Sequence, residues 1–298
     1  MNKYLSNLQL FRSVLLAHLG QFLPDEIYIK LKWKNAMGYP LNLDNPITFN
    51  EKLQWLKLND RKSIYTQMVD KYGAKLYVSE KLGKQFIIPT LGVWDSVEEI
   101  DWDFLPNRFV LKCTHDSGGL IICKDKAKLN IKKARKVLKQ SLAFDFYKAG
   151  REWPYKDVPR RIIAEEFMED SDCQELSDFK IHCFNGEPKV ILVCRDRFSK
   201  TGLTEDFYDS EWNHLNIRRP EHPNAVVSME KPKELDQMLD FAKRLSNNIP
   251  FLRVDFYIVN HKIYFGELTF YPATGMVPFI PNKWDEMFGS WITLPEKF

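Results

Sequence analysis

Apolar and polar positions along the chain follow two periods. In "ITFNEKLQWLKLND", residues 47–60, Phe49, Leu53 and Leu56 fall at helical spacing with Trp55 alongside, and Thr48 with Glu51 three positions on has the form of a capping box. The stretch "SIYTQMVDKYGAKLYVSEKLG" reads as one helix over 63–83 stopped by Gly83. A basic helix follows around Ile131, Ala134, Val137, Leu138 and Leu142 as its buried face, with its lysines as a solvated face. Another is expected after Pro232, with Leu235, Met238, Leu239 and Ala242 inward and Asn247 or Asn248 at its end. A period of two marks Phe109 to Cys113 and Leu120 to Cys123 as strands around a glycine-bearing turn, and "RIIAEEFMED" as a strand running into acids. Asn185-Gly186 is the strongest local hairpin signal, and "RVDFYIVNHKIYFGELTFYPATG", residues 253–275, reads as a second hairpin.

Size and composition narrow the class. The chain has 298 residues, enough for two or three linked subdomains, with 44% hydrophobic and 28% charged residues, as in ordinary globular proteins. A net charge of +3 advertises neither nucleic-acid binding nor an acidic tail. The five cysteines form no C-x-x-C, so they read as buried thiols of a cytoplasmic protein, not as a disulfide framework or a zinc site. The first 26 residues are interrupted by Arg12 and His18 and read as an amphipathic helix, with peripheral membrane contact as the minority alternative.

Two constellations carry chemistry. In "FVLKCTHDSGG", Lys112 interrupts an apolar strand and needs solvent or a partner, because a lone buried charge is costly. Ser117, Gly118 and Gly119 follow with approachable backbone N–H groups of the kind that cradle phosphate, although the loop is neither a Walker A motif nor a Rossmann fingerprint. An ordinary hairpin with an exposed lysine would look the same.

The second constellation is the pair Asp255 and Glu267, which interrupt two strong strand runs. A three-residue loop, Asn260 to Lys262, would set Asp255 opposite Glu267 and Arg253 opposite Thr269. A two-residue loop would throw the acids onto opposite faces unless a bulge changes the count. Facing carboxylates repel, so one takes up a proton unless a cation lies between, and magnesium bound by carboxylates and phosphate oxygens is such a cation. Edge-strand protection is the plainer alternative.

In order along the chain, "NPITFNEKLQWLKLNDR", "VDKYGAKLYV", "FVLKCTHDSGG", "IIAEEFM", "DFKIHCFNGEPK" and the 253–275 hairpin resemble the ATP-grasp enzymes. More closely, they resemble the TupA-like ATP-grasp proteins of polysaccharide and teichuronopeptide biosynthesis. The resemblance implies a mixed α+β and α/β ATP-grasp fold that binds ATP and Mg2+ in a cleft between a small lid domain and a C-terminal antiparallel-sheet domain. The implied division is an N-terminal helical and α/β region over 1–105, a lid over 106–167 and a metal-bearing domain over 168–298.

By the same resemblance, Lys71 and Lys112 would contact the nucleotide, and Ser117, Gly118 and Gly119 would close over its phosphates. Glu165 or Glu166 would meet the adenine amino group or ribose, with Phe167 and Met168 beside the base, and Lys180 would point into the cleft with Asp178 orienting it. Asp255 and Glu267 would hold magnesium, with Thr269 where the superfamily usually has asparagine. Lys112, Lys180 and Arg253 would align and neutralise the reacting phosphates. The implied reaction is ATP-dependent amide formation through an acyl phosphate. The implied partners are a uronic acid or other carboxylate and an amine, an amino acid or amino sugar, on a capsular or surface polysaccharide precursor. Gly275, Thr274, Tyr271, Trp284, Trp153 and Tyr155 are candidates for the acceptor cleft, with core packing as the alternative for the aromatics.

A nucleotide-sugar glycosyltransferase is the rival reading, with Asp101-x-Asp103 and Asp170-x-Asp172 as its metal-diphosphate motifs. Under it, Asp255 and Glu267 share no task. A non-catalytic nucleotide-binding scaffold is the third reading, supported by Thr269.

Overall fold

A computed structural model describes residue 16, residues 20–171, 176–197, residue 199 and residues 202–297. Apart from Leu16, the amphipathic helix expected ahead of Gly20 lies outside the described residues, as do Asp172 and Cys173. Helices α1 (Asp25–Met37), α2 (Phe49–Asn59), α3 (Ile64–Val69) and α4 (Lys71–Leu82) precede the first strand, β1 (Thr90–Trp94). The capping box forms at α2: the Thr48 hydroxyl accepts from Glu51 N at 3.2 Å, and the Glu51 carboxylate accepts from Thr48 N at 3.1 Å.

The single helix expected over 63–83 is two helices. Asp70 turns extended, with ψ at 117°, and its carboxylate accepts the N–H groups of Tyr72 and Gly73, so it ends α3 and caps α4. Its charge is held by Arg161, whose guanidinium lies 2.6 Å away. Apolar periodicity runs through the break because the apolar residues keep their spacing on either side of it.

Strands β2 (Phe109–Cys113) and β3 (Ile121–Cys123), helices α5 (Ile131–Ala143) and α6 (Phe146–Gly150), and strand β4 (Ile162–Glu166) follow. Strands β1 to β4 form an antiparallel sheet in the order β1-β4-β2-β3. The sheet thus draws on residues 90–94, upstream of the boundary expected at 106. Helix α5 covers it with Ala134, Leu138 and Ser141; Ile131 is exposed and Val137 and Leu142 are only half-buried, because so small a sheet accepts a narrow stripe.

The larger sheet comprises β5 (Asp178–Phe184), β6 (Glu187–Arg195), β7 (Thr204–Asp209), β8 (His214–Leu215), β9 (Phe251–Val259) and β10 (Lys262–Thr269). All its pairings are antiparallel, in the order β10-β9-β5-β6-β7-β8. Helix α7 (Leu235–Ser246) packs on it through Leu235, Met238, Phe241, Ala242 and Leu245, while Leu239 is half-buried. Phe49 of α2 meets Phe251 edge-on at 4.8 Å and Phe288 of α8 (Lys283–Ser290) at 6.0 Å, which ties the helical region to the sheet.

Turn chemistry sets the two hairpins. Asn185 and Gly186 form a two-residue loop with φ of 50° and 84°. The β9–β10 loop is also two residues, Asn260 and His261 at φ 48° and 60°, and Val259 pairs with Lys262. The three-residue loop expected there does not form. The pairing instead shifts between Phe265 and Glu267, where Gly266 is the inserted residue of a β-bulge, and from there Glu267 opposes Asp255 and Thr269 opposes Arg253. A Cβ on Gly266 would stand 3.0 Å from the Tyr257 ring and 3.1 Å from the Asp255 carbonyl oxygen.

Candidate active site

The bulge brings both acids to one wall, and a guanidinium stands between them. Arg253 donates from Nε to Asp255 Oδ1 at 2.7 Å and from one terminal nitrogen to Asp255 Oδ2 and Glu267 Oε1, each at 2.8 Å. From β5, Lys180 Nζ reaches Asp255 Oδ2 at 2.5 Å, and Asp178 lies 3.4 Å from the same ammonium. Burial works against the Lys180 charge, but Asp255, Asp178 and Glu267 together outweigh it and raise the lysine above its ordinary value. Asp255 is buried, whereas the Glu267 side chain is 46% exposed. The Thr269 hydroxyl is 3.4 Å from Glu267 Oε1.

In the small sheet, Glu165 of β4 lies buried between two ammonium groups, Lys112 and Lys75, each at 2.5 Å. Burial alone would raise its carboxyl, but the two lysines hold it below the ordinary carboxylate value. Lys75 also donates to the Ile88 carbonyl at 2.7 Å and to the Thr90 hydroxyl at 3.1 Å. Its position four residues after Lys71 puts both on one face of α4, a signal in the sequence that singled out only Lys71. Lys71 donates to the Asp116 carbonyl, and burial depresses its ammonium below the usual lysine value.

Lys71, Asp116, Ser117, Arg253, Glu267 and Thr269 border one cavity of about 330 Å3, which continues along Glu152, Tyr155, Tyr271 and Thr274. Gly119 sits at φ 64° against Ser141, where a Cβ would come within 2.3 Å of the hydroxyl oxygen. The residues expected beside the adenine do not border this cavity. Glu166 is exposed, and the Phe167 ring lies under the Arg108 guanidinium at 4.4 Å. Phe167, Met168, Gly118 and Trp284 fall outside its lining, as do Lys112, Gly119, Glu165, Lys180, Asp255, Trp153 and Gly275. Trp284 instead donates its indole N–H to the Asn216 carbonyl at 3.0 Å. Asp101, Asp103 and Asp170 do not border the cavity: Asp101 accepts the N–H groups of Asp103 and Phe104 in an exposed turn, and Asp170 accepts the N–H of Asn260.

The polar face of α2 is the largest feature that periodicity missed. Gln54 donates to the Gly275 carbonyl at 2.7 Å, and Lys57 donates to the Thr274 carbonyl and hydroxyl at 2.7 and 2.8 Å. These contacts hold the turn Pro272–Gly275, where Ala273 and Thr274 are at φ 50° and 55°.

Beneath Arg253, His182 is buried, donates toward the Lys180 carbonyl at 3.1 Å and is pushed by burial, then by Arg253, down to about 3. Its folded value lies below the ordinary 6.5, so the unfolded chain binds the extra proton between those limits. Stability should therefore hold above pH 6.5 and fall as pH drops from 6.5 toward 3. Urea midpoints measured at pH 7 and pH 4.5 should converge in His182→Asn relative to wild type; an unchanged gap would exclude His182 as the source.

A family model described as TupA-like ATPgrasp matches residues 51–293. The sequence has no match among curated proteins. Among solved structures, the chain is similar to D-alanine–D-alanine ligase from Helicobacter pylori, with 13% identity, 82% of this chain and 69% of that chain covered, and a TM-score of 0.42. It is similar also to D-alanine–D-alanine ligase from Bacillus anthracis complexed with ATP, with 11% identity, coverage of 68% and 53%, and a TM-score of 0.39. A third is phosphoribosylamine–glycine ligase from Thermotoga maritima, with 13% identity, coverage of 71% and 51%, and a TM-score of 0.40. The chain spans little more than half the length of the Bacillus ligase.

Proposed function

Because the chain belongs to the TupA-like ATP-grasp family, we propose that it is an ATP-dependent carboxylate–amine ligase that forms an amide through an acyl phosphate. The observation that carries this reading is the pair Asp255 and Glu267, both held by Arg253: Glu267 and Arg253 border the cavity with Lys71 and Ser117, and Asp255 lies buried directly behind the guanidinium. A glycosyltransferase reading leaves that pair without work.

The donor set suits magnesium that arrives with nucleotide. Among the described residues no group of three or more His, Cys, Asp or Glu is gathered, so the protein offers hard oxygens without a full cage. Magnesium favours one or two carboxylates completed by phosphate oxygens and water. Asp255 and Glu267 would hold it, with the Thr269 hydroxyl within reach of Glu267, and it would supply neutralisation of phosphate charge.

Lys71 and Lys112 would bind the phosphates, the latter by exchanging Glu165 for a phosphate oxygen. Ser117, Gly118 and Gly119 would cover them as part of a lid built on the small sheet. Lys180 and Arg253 would keep the transferred phosphoryl group aligned and stabilise charge as a substrate carboxylate attacks it. Water must be excluded until an amine captures the acyl phosphate. We take the carboxylate to be a uronic acid on a polysaccharide precursor and the amine to be an amino acid or amino sugar, in keeping with the family's polysaccharide context.

The test is the mass of the product formed from ATP, magnesium, uronic acids and amines. An amide weighs one water less than acid plus amine and appears with ADP and phosphate. A nucleoside diphosphate released from a nucleotide sugar without ATP consumption would overturn the reading. Glu267→Gln should cut acceptor-dependent ATP consumption by about a hundredfold or more; equal turnover would remove the metal role of Glu267.

A further inference from the structure

Glu152 borders the same cavity as Glu267, is 6% exposed, and forms no ion pair with any lysine or arginine among the described residues. The nearest basic groups are engaged elsewhere. Lys57 from α2 is spent on the Gly150 carbonyl and on Thr274, and Lys32 from α1 donates to the Ala149 carbonyl at 2.5 Å. Both influence Glu152 only through space, while the Thr274 hydroxyl hydrogen-bonds its carboxylate. Lys57 and Lys32 offset its charge from a distance, and a cation in direct contact would add a charge-assisted bond to that balance.

The cavity supplies room for such a cation. Tyr155 lies within electrostatic reach of Glu152, Glu267 and Arg253, all of which border this cavity. Tyr155, backed by Phe146 at 4.5 Å between ring centroids, and Tyr271 both border the cavity. Aromatic faces attract ammonium groups, and Tyr271 already has the Lys57 ammonium 5.6 Å from its ring centroid. The strained Ala273–Thr274 backbone, clamped by Gln54 and Lys57, fixes the hydroxyl that orients Glu152.

We infer that Glu152 marks the acceptor subsite, where its carboxylate pairs with the protonated primary amine of the second substrate between Tyr155 and Tyr271. The inference rests on the ligase reading. Glu152 then acts as a specificity residue: primary ammonium groups gain a direct ion pair with it that neutral or anionic acceptors cannot form. Burial raises the Glu152 carboxyl above its ordinary value, and an incoming ammonium opposes that shift.

The experiment is calorimetric titration at pH 7.5 into protein held with magnesium and a non-hydrolysable ATP analogue. Glucosamine and glycine, as amino-sugar and amino-acid probes, are compared with N-acetylglucosamine. At least one amine should bind, N-acetylglucosamine should not, and Glu152→Gln should weaken the amine by about tenfold to a hundredfold with the analogue unchanged. Glucosamine alone or glycine alone identifies the source of the amine. Equal amine affinity in wild type and Glu152→Gln would overturn the inference, as would failure of both amines to bind while the analogue does. If the variant does not hold the analogue, the contrast of glucosamine with N-acetylglucosamine and of glycine with acetylglycine on wild type decides. Failure of the analogue to bind wild type strikes the ligase reading itself.

Discussion

Asp255→Asn should lower acceptor-dependent ATP turnover by about a thousandfold and destabilise the fold by about 3 kcal/mol. Asp255 is 1% exposed and accepts from three charged donors, two on Arg253 and one on Lys180. An amide there keeps the shape and removes the charge, leaving Lys180 with Asp178 at 3.4 Å and Arg253 with the half-exposed Glu267 as their remaining acids. Breaking a buried pair from one side costs more than the pair itself contributes, because the stranded charge cannot recover its water. Glu267→Gln removes a carboxylate that reaches solvent, so it should impair turnover with little effect on unfolding. ADP release and urea unfolding measured on both variants separate the two. An Asp255→Asn protein with wild-type midpoint and turnover would contradict the charge balance described here.

What the sequence discloses about this site depends on which interactions are local. The Thr48–Glu51 cap and the Asn185-Gly186 turn are decided within four residues, and both form as their residue types require. The facing of Asp255 and Glu267 could be argued from strand parity, yet the device that delivers it was misplaced. The odd residue sits at Gly266 inside the strand, not in the loop, because Asn260 and His261 already satisfy a two-residue turn with positive φ. Asp70 was hidden for a related reason: a helix break made by a polar cap leaves apolar spacing untouched. Least legible was α2, where Gln54 and Lys57 look solvated but are buried by carbonyls some two hundred residues away. Apolar periodicity cannot register a polar side chain whose burial is matched by distant backbone acceptors. That long-range clamp fixes the Ala273–Thr274 turn that borders the cavity.

Lys112→Met should weaken binding of an ATP analogue by about thirtyfold to a hundredfold while leaving stability nearly intact, and Lys75→Met should show the reverse emphasis. Both ammonium groups lie 2.5 Å from Glu165, but their surroundings differ. Lys75 is 7% exposed at its side chain and is tied to the Ile88 carbonyl and the Thr90 hydroxyl, so it anchors α4 to the start of the small sheet. Lys112 is 19% exposed, and among the described residues Glu165 is the one acceptor given for its ammonium, so it can turn to a phosphate without unpinning any backbone among them. Lys75 would then remain to neutralise Glu165. Losing Lys112 removes one charge-assisted bond to nucleotide, whereas losing Lys75 leaves the Ile88 carbonyl and the Thr90 hydroxyl without their buried donor. Calorimetry with the analogue, paired with urea unfolding, reads both consequences. Unchanged nucleotide affinity in Lys112→Met would remove that lysine from the phosphate site and leave Glu165 with a purely structural pair.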